Sequence, residues 1–270
     1  MQQFVNPMSF TSIVKYTKEN TASKWRVPFY VIKGMYYFLL KKVLPEGKIT
    51  VKAFNGSSVY LLKNNSFTSV FTYAQIPESV DIRFLRAHIH PNTVLLDIGA
   101  NIGAYSIMML DVCSKVYAFE PHPVTFKHLE KNNELNGNKI SLVNKGLGDQ
   151  EALLPFTNIQ SEMNHIIKEQ ANKTAGDIAV QITTLDNFAE QNLSKNDRYI
   201  IKIDVEGFED EVLKGGVNFF SNYSIDAMVI EADDKRRNKM IEELISKGFV
   251  CEFSDNSNNI RAYKSKQLIN

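Results

Sequence analysis

Asp97-Ile98-Gly99-Ala100-Asn101-Ile102-Gly103 is the stretch on which the reading of this chain turns. Directly before it, Thr93-Val94-Leu95-Leu96 is a short β-branched and aliphatic run of the kind that forms a buried parallel strand. Directly after it, Ile102, Tyr105, Ser106, Met108 and Met109 open a helical pattern that runs to about Val112. Strand, glycine turn, helix is the unit that binds nucleotide-like cofactors at the carboxyl end of a parallel sheet. Gly99 permits the tight turn, and Gly103 is expected to let the helix start lie close against strand and ligand. Asn101 stands where many such loops carry a middle glycine. Asn tolerates left-handed backbone better than most residues with a Cβ, so the turn survives the exchange.

The spacing separates two cofactor classes. A dinucleotide loop reads G-x-G-x-x-G, with backbone N–H groups aimed at a pyrophosphate. Here the pattern is D-x-G-x-N-x-G, headed by a carboxylate at the strand end. An anion there repels a pyrophosphate and attracts the ammonium and sulfonium of S-adenosylmethionine. Lys115-Val116-Tyr117-Ala118-Phe119-Glu120 then reads as the second strand, and its terminal acid falls where a ribose-binding carboxylate belongs. The expectation is an S-adenosylmethionine site. The rival function classes are an NAD-dependent oxidoreductase, which the glycine spacing disfavours, and a non-catalytic module on the same fold.

Three motifs in order carry a family resemblance: Asp97 to Gly103, then Phe119-Glu120-Pro121-His122-Pro123, then Ile201-Lys202-Ile203-Asp204-Val205-Glu206-Gly207. Thr183-Thr184-Leu185-Asp186 and Val229-Ile230-Glu231 fit the same pattern, so that about residues 78 to 233 are covered. The chain resembles the FkbM family of S-adenosylmethionine-dependent methyltransferases. The resemblance implies O-methylation of a sugar or natural-product hydroxyl, with a glycan or glycoconjugate as acceptor. It also implies that the loop Gly146-Leu147-Gly148-Asp149 lies beside the adenine, where Asp149 can accept from the exocyclic amine. The candidate cofactor residues are therefore Asp97, Gly99, Ala100, Asn101, Gly103, Glu120, Pro121, Asp149 and Asp204.

At 270 residues the chain can bury a full α/β core with room for an N-terminal addition. Its 31 Lys and Arg against 30 Asp and Glu leave a net charge of +1, and no basic face for a nucleic acid is visible. Cys113 and Cys251 lie in no metal-spacing motif and read as buried core thiols, which points to a reduced, cytoplasmic setting. The first residues lack the basic and apolar regions of a signal peptide. Pro28 to Leu44 is strongly apolar but contains Lys33, ends in Lys41-Lys42 and is shorter than the ~20 residues of a spanning helix. The favoured expectation is a helix packed on the main domain or on a partner subunit. The sharper one is an interfacial helix at a membrane surface.

Residues 1 to 75 read as an N-terminal extension, with a hairpin around Asn55-Gly56-Ser57, and 76 to 270 as the methyltransferase domain. Helices are expected over 78–89, 123–136, 208–220 (Val217 inward) and 234–247. Strands are expected over 140–144, 180–185, 199–204 and 226–231, with a closing antiparallel pair at 249–253 and 260–263. Asp186 is expected to cap a short helix. Residues 156 to 178 read as a polar, irregular insertion suited to acceptor recognition. The whole is a doubly wound, Rossmann-like sheet, mostly parallel with one antiparallel edge strand.

Asp97, Glu120, Asp204, Glu206 and Glu231 all fall at or just past strand ends, on the edge where ligands bind. Converging carboxylates suit a cationic ligand; the structural alternative is ion pairing with Lys202, Arg198 or Arg236. Alternation puts Lys202 and Asp204 on one face and Ile201 and Ile203 on the other. Asp204 is expected to position the methionine end of the cofactor and Glu206 to contact the acceptor as base, with His165 as the alternative base. Use of Asp204, Glu206 and Glu231 by a divalent ion is the runner-up, and no His cluster supports zinc. His88, His90, His122 and His128 read as ordinary surface side chains.

Overall fold

A computed structural model describes residues 9–44, 49–62, 66–157, 165–167, 176–253 and 258–264. The N-terminal part holds α1 (Phe10–Glu19), α2 (Val27–Val43), the antiparallel hairpin β1 (Thr50–Lys52) and β2 (Ser58–Tyr60), then α3 (Ser66–Tyr73) and α4 (Ser79–Arg86). The central run is β3 (Thr93–Ile98), α5 (Ala104–Met109), β4 (Lys115–Phe119), α6 (Pro123–Glu134) and β5 (Ser141–Val143). β6 (Gly146–Leu147), β7 (Ala152–Phe156) and β8 (Ile178–Thr183) follow, then α7 (Leu185–Asn192) and β9 (Arg198–Ile203). The chain ends in α8 (Glu209–Lys214), α9 (Val217–Asn222), β10 (Ser224–Glu231), α10 (Asp234–Ser246), β11 (Phe249–Phe253) and β12 (Asn259–Lys264).

Seven strands form one sheet in the order β11-β12-β10-β9-β3-β4-β5. The pairs from β10 to β5 are parallel, and β12 runs antiparallel to both neighbours. This is the expected doubly wound, mostly parallel sheet, but the one reversed strand, β12, lies inside the edge strand β11 and not at the edge itself. Every residue of β3 is buried, which explains why it carries a continuous apolar run instead of an alternating one. Leu96, Ile98, Ile201 and Ile203 face one core with Phe188, Val212, Leu213 and Leu244. Leu95 and Ile200 face the other with Val51, Val59, Phe71, Ile82, Leu85 and Met108. The N-terminal segments thus complete the cover of the second sheet face. Each such buried side chain contributes about 1.5–3 kcal/mol.

Several expectations need correction. α1 and α3 were not foreseen, α1 because it lacks the long apolar run that marked α2, and β6, β8 and β7 make a separate three-stranded sheet that the sequence reading missed. The expected 208–220 helix breaks in two at Gly215-Gly216. A Cβ on Gly215 would lie 1.9 Å from the Gly148 carbonyl, so two backbones meet where the helix would have continued. Val217, expected inward, is half exposed. Thr184, not Asp186, caps α7, with its Oγ1 accepting from Asn187 N at 3.0 Å. Asp186 instead accepts from Asn218 N (3.0 Å) and Phe219 N (2.7 Å), holding the start of α9. Cys113 and Cys251 are free and only partly buried; burial pushes the Cys113 thiol up to about 12. Of the polar insertion, 156–157, 165–167 and 176–178 lie within the described residues.

Candidate active site

The sheet order sets the carboxyl ends of β4, β3, β9 and β10 side by side. Sequence places an acid at each: Glu120, Asp97, Asp204 and Glu231. The loops leaving β3 and β9 touch, since a Cβ on Gly99 would stand 1.8 Å from the Asp204 carbonyl oxygen. Gly99 has φ +75°, and Asn101 has φ 54°, the left-handed backbone foreseen for it. Gly103 has φ +88°, and a Cβ added there would meet Leu129 Cδ1 of α6 at 2.6 Å, so the bare glycine lets the loop close against α6.

Glu120 organises the glycine loop. Asn101 N donates to its Oε2 at 3.0 Å and His122 N to its Oε1 at 2.9 Å, while Gly99 N and Ala100 N donate to the Phe119 carbonyl. Burial raises the Glu120 carboxyl to about 7 against those two bonds. Its neighbour Pro121 packs against β6, with ring atoms 3.6 Å from where a Cβ of Gly146 would lie. Asn144 Nδ2 donates to the Glu120 carbonyl at 2.8 Å.

Lys202 joins the two central acids. Adjacent register puts it beside Asp97, with Nζ 3.8 Å from Asp97 Oδ1 and 3.4 Å from Asp204 Oδ2. It also donates to the Gly99 carbonyl at 2.5 Å. Burial works against its charge, but Asp204 and Asp97 outweigh burial and leave it firmly protonated. Asp97 is fully buried. Its Oδ2 accepts from Ser106 N (3.0 Å) and Ser106 Oγ (2.6 Å), and Oδ1 has no hydrogen-bond donor. Ion pairing with Lys202 therefore holds for Asp97 and Asp204. The other proposed cations go elsewhere: Arg198 pairs with Asp226, and Arg236 with Glu209 and Asp233.

The rim of the site is more acidic than the sequence reading recognised. Burial, then Asp204, pushes Glu231 up to about 8, and Glu231 hydrogen-bonds Asp204. Glu206, at φ 50°, is exposed at its tip, yet desolvation by the surrounding loop, then Asp204, raises its carboxyl to about 7. Glu78, at the start of α4 with φ 50°, is raised to about 7 by burial and then by Asp81. It accepts from Tyr16 Oη at 3.4 Å. Tyr105 is pushed well above its usual range by burial and then by Asp81, Glu78 and Asp204. Glu209 is a further residue the sequence reading missed. Its buried Oε1 accepts from Val205 N (3.3 Å) and Gly207 N (3.1 Å), while Arg236 Nη1 holds Oε2 at 2.6 Å. An acid two residues past the glycine of Val205-Glu206-Gly207 was the available signal.

Two expected residues stand apart from this cluster. Asp149 is exposed beside Gly215, at the junction of α8 and α9. His165 is exposed next to the Phe156–Ile166 bridge, and its backbone N donates to Thr157 Oγ1 at 2.9 Å. Among the described residues no group of three or more His, Cys, Asp or Glu has metal-holding geometry.

Residues 97–251, more than half of the chain, match the methyltransferase FkbM domain family. A hexuronic acid methyltransferase from Haloferax volcanii is 30% identical over 169 residues, covering 60% of this chain and 66% of that protein. A methyltransferase from Sordaria araneosa is 29% identical over 163 residues, covering 48% and 62%. The matched stretch thus spans under two thirds of either relative. Among solved structures, a precorrin-6y C5,15-methyltransferase from Geobacter metallireducens aligns at 16% identity and a TM-score of 0.44, covering 71% of this chain and 89% of that one. S-adenosylmethionine, the cofactor of such methyltransferases, suits the groups present: a buried carboxyl in Glu120 at the end of β4 and an acid-rich edge that fits a cation. The acid-headed glycine loop, the acid closing β4 and the Asp204–Gly207 exit loop all lie inside the matched stretch, and the chain belongs to the FkbM methyltransferase family.

Proposed function

We propose that the protein is an S-adenosylmethionine-dependent O-methyltransferase whose acceptor is a hydroxyl of a sugar in a glycan or glycoconjugate. The observation that supports it best is Glu206, a carboxyl raised to about 7 at the open rim of the acid edge. An aliphatic hydroxyl is a weak nucleophile until its proton leaves, and a base is most effective when its pKa lies near the working pH. The likeness to a hexuronic acid methyltransferase supports a sugar acceptor.

When bound, S-adenosylmethionine supplies the electrophilic methyl group. Glu120 accepts from the ribose hydroxyls, with Asn101 and Pro121 shaping that wall. Asp204, fixed by Lys202 on one side and by the Glu231 carboxyl on the other, faces the cationic end. Glu206 takes the acceptor proton, and Glu209 holds the loop from which it projects. Alignment and proton removal are the chain's whole task in an in-line transfer.

Glu206→Gln keeps the size and removes the basicity. Turnover with a sugar acceptor should fall ~10²–10⁴-fold while S-adenosylhomocysteine binds within a few fold of wild type. Unchanged turnover would discard Glu206 as base and bring His165 forward. A non-catalytic module would bind the cofactor and methylate nothing in lysates, glycans or lipids scanned with labelled methyl donor.

A further inference from the structure

α2 packs inward along one side only. Tyr37 and Leu40 contribute to the second core, Lys33 Nζ donates to the Phe71 carbonyl at 3.2 Å, and Lys41 Nζ to Ser69 Oγ at 2.8 Å. The opposite side is an apolar stripe. Phe29, Ile32, Tyr36, Leu39 and Val43 recur at alternating steps of three and four, which places them on a single face of α2, and Trp25, in the short 3-10 turn just before α2, continues the spacing. All six are between 58% and 81% exposed. Isolated exposed apolar residues are ordinary, but a continuous stripe on a 17-residue helix marks an interaction surface.

Charge decides what it fits. Between Asn20 and Pro45 the chain carries Lys24, Arg26, Lys33, Lys41 and Lys42 and no carboxylate. Lys24, Arg26 and Lys42 flank the stripe, with Arg26 4.9 Å from the Trp25 ring and Lys42 4.6 Å from the Phe38 ring. A second copy laid on this stripe would set cation against cation with no acid of α2 to answer it. A surface of anionic lipid answers Lys24, Arg26 and Lys42, while its acyl boundary takes the stripe and its headgroup layer takes Trp and Tyr. No helix of the described residues is long and apolar enough to cross a membrane.

We infer that α2 lies in the plane of an anionic lipid surface, with the Trp25–Val43 stripe sunk into the headgroup boundary and the basic side chains on phosphates. The enzyme is thereby held at a membrane, independently of its methyl acceptor.

Trp25 is the chain's sole tryptophan, so its emission reports the stripe directly. The full-length protein is titrated with vesicles of phosphatidylcholine alone or of phosphatidylcholine with about one-third phosphatidylglycerol, with sedimentation in parallel. The expected result is a blue shift and co-sedimentation with the anionic vesicles, weakened at least ~10-fold in high salt and absent with the neutral ones. Ile32→Ser with Leu39→Ser, both on the exposed stripe, should abolish binding while leaving the melting temperature in place. Lys24→Glu with Lys42→Glu should do the same. Three outcomes overturn the inference: no shift on anionic vesicles, equal binding by the Ser variant, or a blue shift that tracks protein concentration without lipid alongside a dimer mass.

Discussion

Glu120 makes a prediction in which stability and binding move separately. Its carboxyl is buried, accepts from Asn101 N and His122 N, and rises from 4.5 to about 7 on folding. A carboxyl whose folded value lies above its unfolded one favours the folded state while protonated. That contribution is complete below about 4.5 and disappears as pH climbs through about 7. At ~1.4 kcal/mol per pH unit, the interval is worth ~3 kcal/mol. Glu120→Gln cannot titrate. Urea unfolding of ligand-free protein at pH 5 and pH 8.5 should therefore show a decline in wild type that exceeds the variant's by ~3 kcal/mol. Other raised acids, Glu78, Glu206 and Glu231, remain in both proteins and cancel in that difference. Calorimetry with S-adenosylhomocysteine should show the variant weakened ~10–100-fold at pH 7.5, because the ribose hydroxyls lose a charged acceptor. Equal pH slopes would refute the buried-carboxyl account, and unchanged affinity would remove Glu120 from the ribose site.

Gly99→Ala must push the β3 and β9 exit loops apart, so melting temperature and S-adenosylhomocysteine affinity should fall together; a variant that keeps both would show that the loops do not meet there. Asp81 accepts from Arg261 Nη1 and Asn259 Nδ2, each at 2.7 Å, locking α4 to β12. Asp81→Asn strands the buried Arg261 charge and should cost ~3–5 kcal/mol in urea unfolding, a loss below 1 kcal/mol counting against it. Glu209→Gln loosens the loop carrying Glu206, and its expected signature is lower kcat with KM and cofactor affinity held within a few fold, restored in part by nothing but a carboxylate at that position.

The sheet was legible because β3, β4, β9 and β10 are largely apolar runs that end at acids, a pattern sequence shows directly. The glycine loop was legible for the same reason, down to the left-handed backbone of Asn101. Other features depend on distant contacts that local pattern does not carry. Gly215 splits α8 from α9 because the Gly148 carbonyl arrives from another segment. Asp186 looked like a cap for its own helix and serves a neighbouring one. The two-residue β6 exists by pairing with β8, more than thirty positions later. At the site, the strand-end acids could be placed in advance. Glu78 could not, since its role arises from the approach of α4, and Glu209 left only its spacing from Gly207 as a signal, its bonds being set by the turn of the β9 exit loop.

Two of the rim acids, Glu78 and Glu206, sit in a backbone region that residues with a Cβ rarely adopt. Holding each there costs on the order of 1 kcal/mol or more, and the surrounding structure has to make up the difference. The sturdiest version of this protein is therefore not its most capable version. Selection for heat resistance alone would drive position 206 toward glycine, which relaxes the loop and deletes the acid in one step. A library screened for melting temperature should enrich Gly or Asn at 78 and 206 and, among those survivors, show depressed methyl transfer.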